Sequence, residues 1–245
     1  GSNSIDYIIA DDILIPKASE KFYTEKIIRM PNCFQCNDNK KEISQEKISR
    51  KQHNLPEKGF VFTSFCANKK ITANEFDVWM RLLKRIKGSV LWLYKSNQYS
   101  AENLINEATY RNIDPTRIIF ASKLPSLKQH LARYSLGDLG LDTFNYNGHA
   151  TTSDALWAGL PVITKIGKSF AARVSASLLN NLGLTDLITH SIEEYEEKAI
   201  YFVNNTEKLI NLRKKLAELR ETSTLYNSKL FTENLEDKFR EVYLK

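Results

Sequence analysis

Residues Asp142–Thr164, DTFNYNGHATTSDALWAGLPVIT, decide how the rest of this 245-residue chain is read. Just upstream, LGLDT (Leu139–Thr143) has the look of the end of a buried strand. FNYNGHATTS is a loop dense in Asn, Gly and hydroxyl residues. DALWAG reads as the helix that follows, and PVIT (Pro161–Thr164) returns as the next strand. Strand, small-residue loop and helix N-terminus together gather unpaired backbone N–H groups and the positive end of a helix dipole at one point, which suits a phosphate. Thr151, Thr152 and Ser153 add hydroxyl groups there. Asp154, in the opening turn, is placed to take the hydroxyls of a ribose. The same residues also fit a plain helix cap followed by an acidic first turn, which stabilises any helix. The spacing is neither a Walker loop nor a GxGxxG fingerprint, so on chemistry alone both readings stand.

Working outward, the chain after Gly59 alternates regularly. FVFTSFC, SVLWLYK, RIIFASK, LGLDT, PVIT and DLIT read as six strands between Phe60 and Thr189. Between them lie helical patterns, the clearest being ITANEFDVWMRLLKRIKG, with Phe76, Trp79, Leu82, Leu83 and Ile86 on one face and Gly88 as its stop. Alternation of this kind predicts βαβ units and a doubly wound, Rossmann-like parallel sheet of the α/β class. Helices then dominate to the C-terminus: IEEYEEKAIYFVNN, TEKLINLRKKLAELRETS and ENLEDKFREVYLK. Ligands of such sheets bind beyond the carboxyl ends of the strands. That rule brings Lys69 and Lys70, Lys123 to His130, and Asn145 to Asp154 to one rim.

The N-terminal stretch is organised differently. IDYIIADD (Ile5–Asp12) reads as a buried-type strand, and KASEKFYTEKIIRMP as a helix carrying Phe22, Ile27 and Ile28 and stopping before Pro31. Residues 37–59 carry many charges and few large apolar side chains, and read as a linker or mobile loop. The expected division is therefore 1–36, 37–59 and 60–245.

Composition sets outer bounds. A content of 42% hydrophobic and 26% charged residues is that of an ordinary globular domain. No apolar run reaches the roughly 20 residues that span a bilayer, and the opening GSNS resembles a cloning remnant rather than a secretory signal. The net charge of +6 suits nucleotide phosphates as well as nucleic acid, but there is no aromatic-interleaved RNA platform and no zinc-finger spacing, so no nucleic-acid partner is expected. Three cysteines make no disulfide framework, and the pair Cys33-x-x-Cys36 lacks both the further ligands of a zinc site and the strand-to-helix turn of a redox motif. The expectation is a reducing, cytoplasmic compartment with no membrane partner.

NGHATTSDALWAGLPVIT, preceded by SVLWLYK and RIIF and followed by FAARVSASLL and STLYNSKLFTENLE, resembles the catalytic region of the O-linked N-acetylglucosamine transferases and the related SPINDLY proteins. IDYIIAD and YTEKIIRMPNCF resemble the end of that family's first catalytic lobe. The resemblance implies the UDP-binding lobe of a B-type, two-lobed glycosyltransferase, preceded in the family by tetratricopeptide repeats. No repeat of about 34 residues is visible here. It also implies inverting transfer of a sugar from a UDP-sugar to Ser or Thr of an acceptor protein, with no metal and no cofactor beyond the donor.

Carried over position by position, Lys70 matches the family lysine that contacts the diphosphate and steadies the leaving group. His130 matches the histidine whose ring lies against uracil, with Arg133 on the same side of its helix. Leu124 would present its backbone to the base edge. His149, Thr151 and Thr152 fall in the phosphate loop, and Asp154 matches the acid that holds the ribose. The chain departs from the pattern at Ala67, where the family has glutamine, so that one contact is either absent or supplied by Asn68, and at Ala150, where the first loop threonine keeps only its N–H. These changes lie beside the diphosphate and sugar, so N-acetylglucosamine, glucose and fucose donors all stay open. The expected base and most acceptor contacts belong to the missing lobe, so the chain is expected to bind UDP without transferring sugar unaided. A non-catalytic nucleotide-binding module, or a protein-interaction domain descended from such an enzyme, is the alternative.

Overall fold

The computed structural model describes residues 4–244. Its centre is a six-stranded, all-parallel sheet. In chain order the strands are β3 (Val61–Ser64), β4 (Val90–Tyr94), β5 (Ile118–Ala121), β6 (Leu139–Leu141), β7 (Val162–Lys165) and β8 (Ile188–Thr189). Spatially they run β5-β4-β3-β6-β7-β8. The first strand of the set thus lies in the middle, the next two build outward on one side, and the last three build outward on the other. This is the order of a dinucleotide-binding fold, and its direction reverses between β3 and β6. All six expected strands are present.

The strands are buried on both faces, which is why they read as continuous apolar runs rather than as alternations. Val61, Phe62, Leu91, Trp92, Leu93, Leu139, Leu141 and Ile163 are all inside the core. The helix α1 (Ala73–Arg85) lays Phe76, Trp79, Met80, Leu82 and Leu83 against the sheet. Its entry is fixed by Glu75, whose carboxylate accepts the Thr72 backbone N–H at 2.8 Å and the Thr72 hydroxyl. Beyond its end, Gly88 takes φ +74°, a conformation that strains any residue with a Cβ. The remaining helices are α2 (Gln98–Tyr110), α3 (Leu127–Ala132), α4 (Ala150–Trp157), α5 (Val174–Asn181), α6 (Ile192–Asn204), α7 (Thr206–Thr222) and α8 (Ser228–Tyr243).

Two expectations fail at the secondary-structure level. KASEKFYTEKIIRMP is not a helix: a 3-10 turn over Lys17–Phe22 is followed by the strand β2 (Lys26–Arg29), paired in parallel with β1 (Tyr7–Ala10). The β-branched pair Ile27 and Ile28 belongs in a strand once a partner edge exists, and β1 supplies it. In the second case, α4 starts at Ala150, four residues before Asp154. The polar ATTS stretch looked like loop because Thr and Ser are poor interior helix formers, yet all four residues lie in the first turn, where such side chains are tolerated.

The small β1–β2 sheet is joined to the large domain through Asp11. This buried carboxylate accepts the N–H groups of Ile13, Leu14 and Phe34 and the hydroxyl of Ser177 on α5, at 2.5–3.1 Å. Residues 37–59 contain one short 3-10 turn, Lys51–His53, and otherwise irregular backbone. They are nevertheless fastened along their length. Arg50 makes a two-pronged bond to Asp138, at 2.9 and 2.8 Å, and also donates to the carbonyls of Leu136 and Gly59. Leu55 is in the core, and Lys41 and Asn37 dock on α4. The three cysteines are free thiols, Cys33 and Cys66 buried and Cys36 exposed. No helix among the described residues is long and apolar enough to cross a membrane.

Candidate functional site

The reversal of strand order between β3 and β6 parts the loops that leave their carboxyl ends, and the loop after β6 is the quoted stretch. Its shape is set by Asp142. The carboxylate of this fully buried residue accepts the Gly148 N–H and the Thr164 hydroxyl, both at 2.7 Å. Burial pushes its pKa up to about 6, against the pull of those donors. Asn147 closes the loop on itself through the Thr143 carbonyl (2.7 Å), and Ser175 on α5 donates to the Gly148 carbonyl (2.9 Å). Gly148 is required here: a Cβ would collide with the Thr152 hydroxyl. The first intrahelical bond of α4 runs from the Ser153 N–H to the His149 carbonyl. The amides of Ala150, Thr151 and Thr152 therefore point out of the helix start without helical partners.

Beside this helix start lies an open cleft of about 530 Å³. Its walls include Leu124, His130, Arg133, Ala150, Thr151 and Asp154, all expected site residues, together with Phe65, Ala67 and Tyr94. The size is that of a small-molecule site. His130 rests edge-on against Tyr134 (ring centres 5.3 Å) and tilted against Phe65 (5.7 Å). Burial, with the Arg133 guanidinium beside it, pushes His130 down to about 4, so the ring is neutral at physiological pH. Arg133 donates to His130 Nδ1, which puts the single ring proton on Nε2. Arg133 itself is buried, donates to the Ser122 carbonyl at 2.6 Å and stands 4.5 Å over the Phe65 ring.

Next to the cleft, Lys70 and His149 meet around Tyr146. The Lys70 ammonium lies 3.9 Å from the Tyr146 ring centre and donates to the Asn147 carbonyl at 2.8 Å, while His149 stacks on the same ring at 4.8 Å. Burial lowers the Lys70 pKa, opposed by nearby Cys66 and Asp142. His149 is lowered by burial and by Lys70, and its buried Nε2 has no hydrogen-bond partner among the described residues. Chain continuity joins this group to the cleft, since Ala67 and Ala150, both in the cleft wall, lie close to Lys70 and directly follow His149.

Two expected residues face inward. The Asn68 side chain donates to the Tyr94 carbonyl (2.9 Å) and accepts from the Ser96 N–H and the Ser100 hydroxyl, so it ties the β3 and β4 loops together. The Thr152 hydroxyl pairs with Ser175 at 2.9 Å, leaving its backbone N–H as the group turned to the helix start. Sequence reasoning missed Lys41, whose ammonium reaches Asp154 Oδ1 at 2.6 Å across 113 positions of chain. It also left Tyr146 without a role, although that residue sits in the quoted loop. No group of three or more His, Cys, Asp or Glu arranged to hold a metal occurs among the described residues.

Comparisons with known proteins show the family and the fold. The probable UDP-N-acetylglucosamine–peptide N-acetylglucosaminyltransferase SEC of Arabidopsis thaliana is 34% identical over 96% of this chain, and the SPINDLY counterpart of Petunia hybrida 32% identical over 99%. The chain spans 25% and 26% of those two proteins' lengths. A solved O-GlcNAc transferase mutant from Thermobaculum terrenum superposes with a TM-score of 0.85 at 29% identity, over 96% of this chain and 44% of its own. The sheet order and this superposition bear out the expected lobe of a B-type glycosyltransferase. The family model for glycosyl transferase family 41 matches residues 42–235, a span that includes every expected site residue, and the chain belongs to that family.

Proposed function

We propose that this chain is the donor-binding lobe of an inverting protein O-glycosyltransferase that needs no metal, with UDP-N-acetylglucosamine as donor and Ser or Thr of a protein as acceptor. The observation that carries the reading is the convergence of Leu124, His130, Arg133, Thr151 and Asp154, from two separate stretches of chain, on one cleft at the switch point of the sheet. In this reading the uracil lies against the neutral His130 ring, with Leu124 at its edge. The ribose hydroxyls donate to Asp154. The diphosphate is held by the outward amides of Ala150, Thr151 and Thr152 and by His149. Lys70 balances the negative charge that builds on the β-phosphate oxygen as the bond from the anomeric carbon to that oxygen breaks. The acceptor hydroxyl attacks that carbon from the opposite side and the configuration inverts. The base that takes the hydroxyl proton lies outside this chain, so the chain alone binds UDP and does not transfer sugar. The three domain segments 1–36, 37–59 and 60–245 are then the end of the first lobe, a tether docked on the second, and the second lobe itself.

Calorimetric titration of the folded chain with UDP tests this. Saturable binding of one nucleotide per chain, without transfer of N-acetylglucosamine to an acceptor peptide, is the expected result. A folded sample that gives no heat with UDP overturns it.

A further inference from the structure

Lys41 comes from the irregular stretch before the large domain and lies against the site from outside the sheet. Its ammonium is 2.6 Å from Asp154 Oδ1, and the two side chains are only 13% and 16% exposed. The residue is held at its other end too: its carbonyl accepts the Trp157 indole N–H at 3.0 Å. Trp157 stands three residues after Asp154, so one turn of α4 grips Lys41 by both backbone and side chain. Asn37 adds a third point by accepting the Ser153 hydroxyl at 2.6 Å. Asp154 Oδ2 receives no hydrogen bond from the described residues, and Asp154 forms part of the cleft wall.

We propose that Lys41 is a positioning residue for the nucleotide site: it fixes the Asp154 carboxylate by one oxygen so that the other faces a pair of vicinal hydroxyls. This rests on the assignment of Asp154 to the ribose. A carboxylate on an aspartate side chain has two free torsions, and a short, half-buried ion pair from an anchored lysine removes that freedom before a ligand arrives. The opposite role, a lysine that competes with the ribose for the carboxylate, predicts the reverse effect on binding.

The test compares UDP with its 2′,3′-dideoxy analogue on the full chain and on Lys41→Met. The parent is expected to prefer UDP by about tenfold or more, the discrimination usual when a site built for hydroxyls meets an analogue lacking them. Lys41→Met is expected to reduce that preference to about threefold or less while binding of the dideoxy analogue stays within about twofold, a pattern that general loosening does not give. An unchanged preference, equal weakening of both ligands, or tighter UDP binding in the variant overturns the proposal. Should Lys41→Met fail to fold, Lys41→Gln, which keeps most of the stem and loses the charge, decides by the same ratio. The two levels separate cleanly: a parent that binds no UDP removes the site assignment and this proposal with it. A parent that binds UDP but shows the same ratio in the variant removes the Lys41 role alone.

Discussion

The Lys70 ammonium sits 3.9 Å from the centre of the Tyr146 ring, and the same ring stacks on His149. An aromatic face attracts a cation by about 0.5–2 kcal/mol, more as water is excluded. In the function proposed above, Tyr146 therefore holds the lysine where charge would develop on the leaving diphosphate. Tyr146→Ala is expected to weaken UDP binding about 3- to 10-fold, whereas Tyr146→Phe, which keeps the ring, stays close to the parent. Calorimetry on the two variants checks this, and equal losses in both would assign the effect to the hydroxyl instead.

His130 gives a prediction in pH. Its pKa falls from the ordinary 6.5 to about 4 in the folded chain, chiefly through burial. The unfolded chain therefore takes up this proton more readily, so the contribution of His130 to stability is complete above pH 6.5 and is lost as pH falls toward 4. His130→Phe removes that loss. Comparing urea unfolding of parent and variant at pH 7 and pH 4.5, the difference should move against the parent by about 1–2 kcal/mol on acidification, after discounting for the partly solvated ring. Asp142, raised to about 6, works in the opposite direction, but it is common to both proteins and cancels in the difference.

The two-pronged bond from Arg50 to Asp138 holds the irregular stretch to the base of β6, and Asp138 also accepts the Val61 N–H at 2.7 Å. Arg50→Ala leaves that carboxylate with one partner fewer and frees two further carbonyls. A loss of about 1–3 kcal/mol is expected, read as a lower urea midpoint at unchanged slope, together with faster proteolysis between residues 37 and 59. A protease-resistant, fully stable variant would show that the stretch is held by its apolar contacts alone.

Thiol chemistry offers a simple check of the packing. Burial pushes the Cys33 thiol up to about 11 and the Cys66 thiol up to about 12, while Cys36 is exposed. A disulfide reagent at pH 8 should therefore modify one thiol per native chain rapidly, and all three only in denaturant. Rapid modification of two in the native state would contradict the seating of Cys33 against Ser177.

The parts legible in the sequence were those set by local pattern. Phe62, Trp92 and Ile163 lie in apolar runs of strand length, and Trp79, Leu82 and Leu83 recur at helical spacing, so the alternation of strands and helices could be read without knowing any neighbour. The rim residues followed because strand ends dictate where loops gather. What stayed hidden depends on partners far away in the chain. The Lys26–Arg29 strand needs the Tyr7–Ala10 edge, Lys41 needs Asp154, and Arg50 needs Asp138, and no local spacing encodes such pairings. Asn68 shows the same limit from the other side, since only the fold reveals that its amide is already committed to Tyr94, Ser96 and Ser100.

Asp11 carries a mechanical implication. Its carboxylate binds three amides of its own N-terminal region and one hydroxyl of α5, all out of water. Rotating the β1–β2 pair away from the large sheet would strip Ser177 from a buried carboxylate, so this bond holds the pair to the lobe. Any rocking of this lobe against a neighbouring domain must pivot elsewhere, and a truncation that deletes Asp11 would expose the underside of α5 rather than trim a tail.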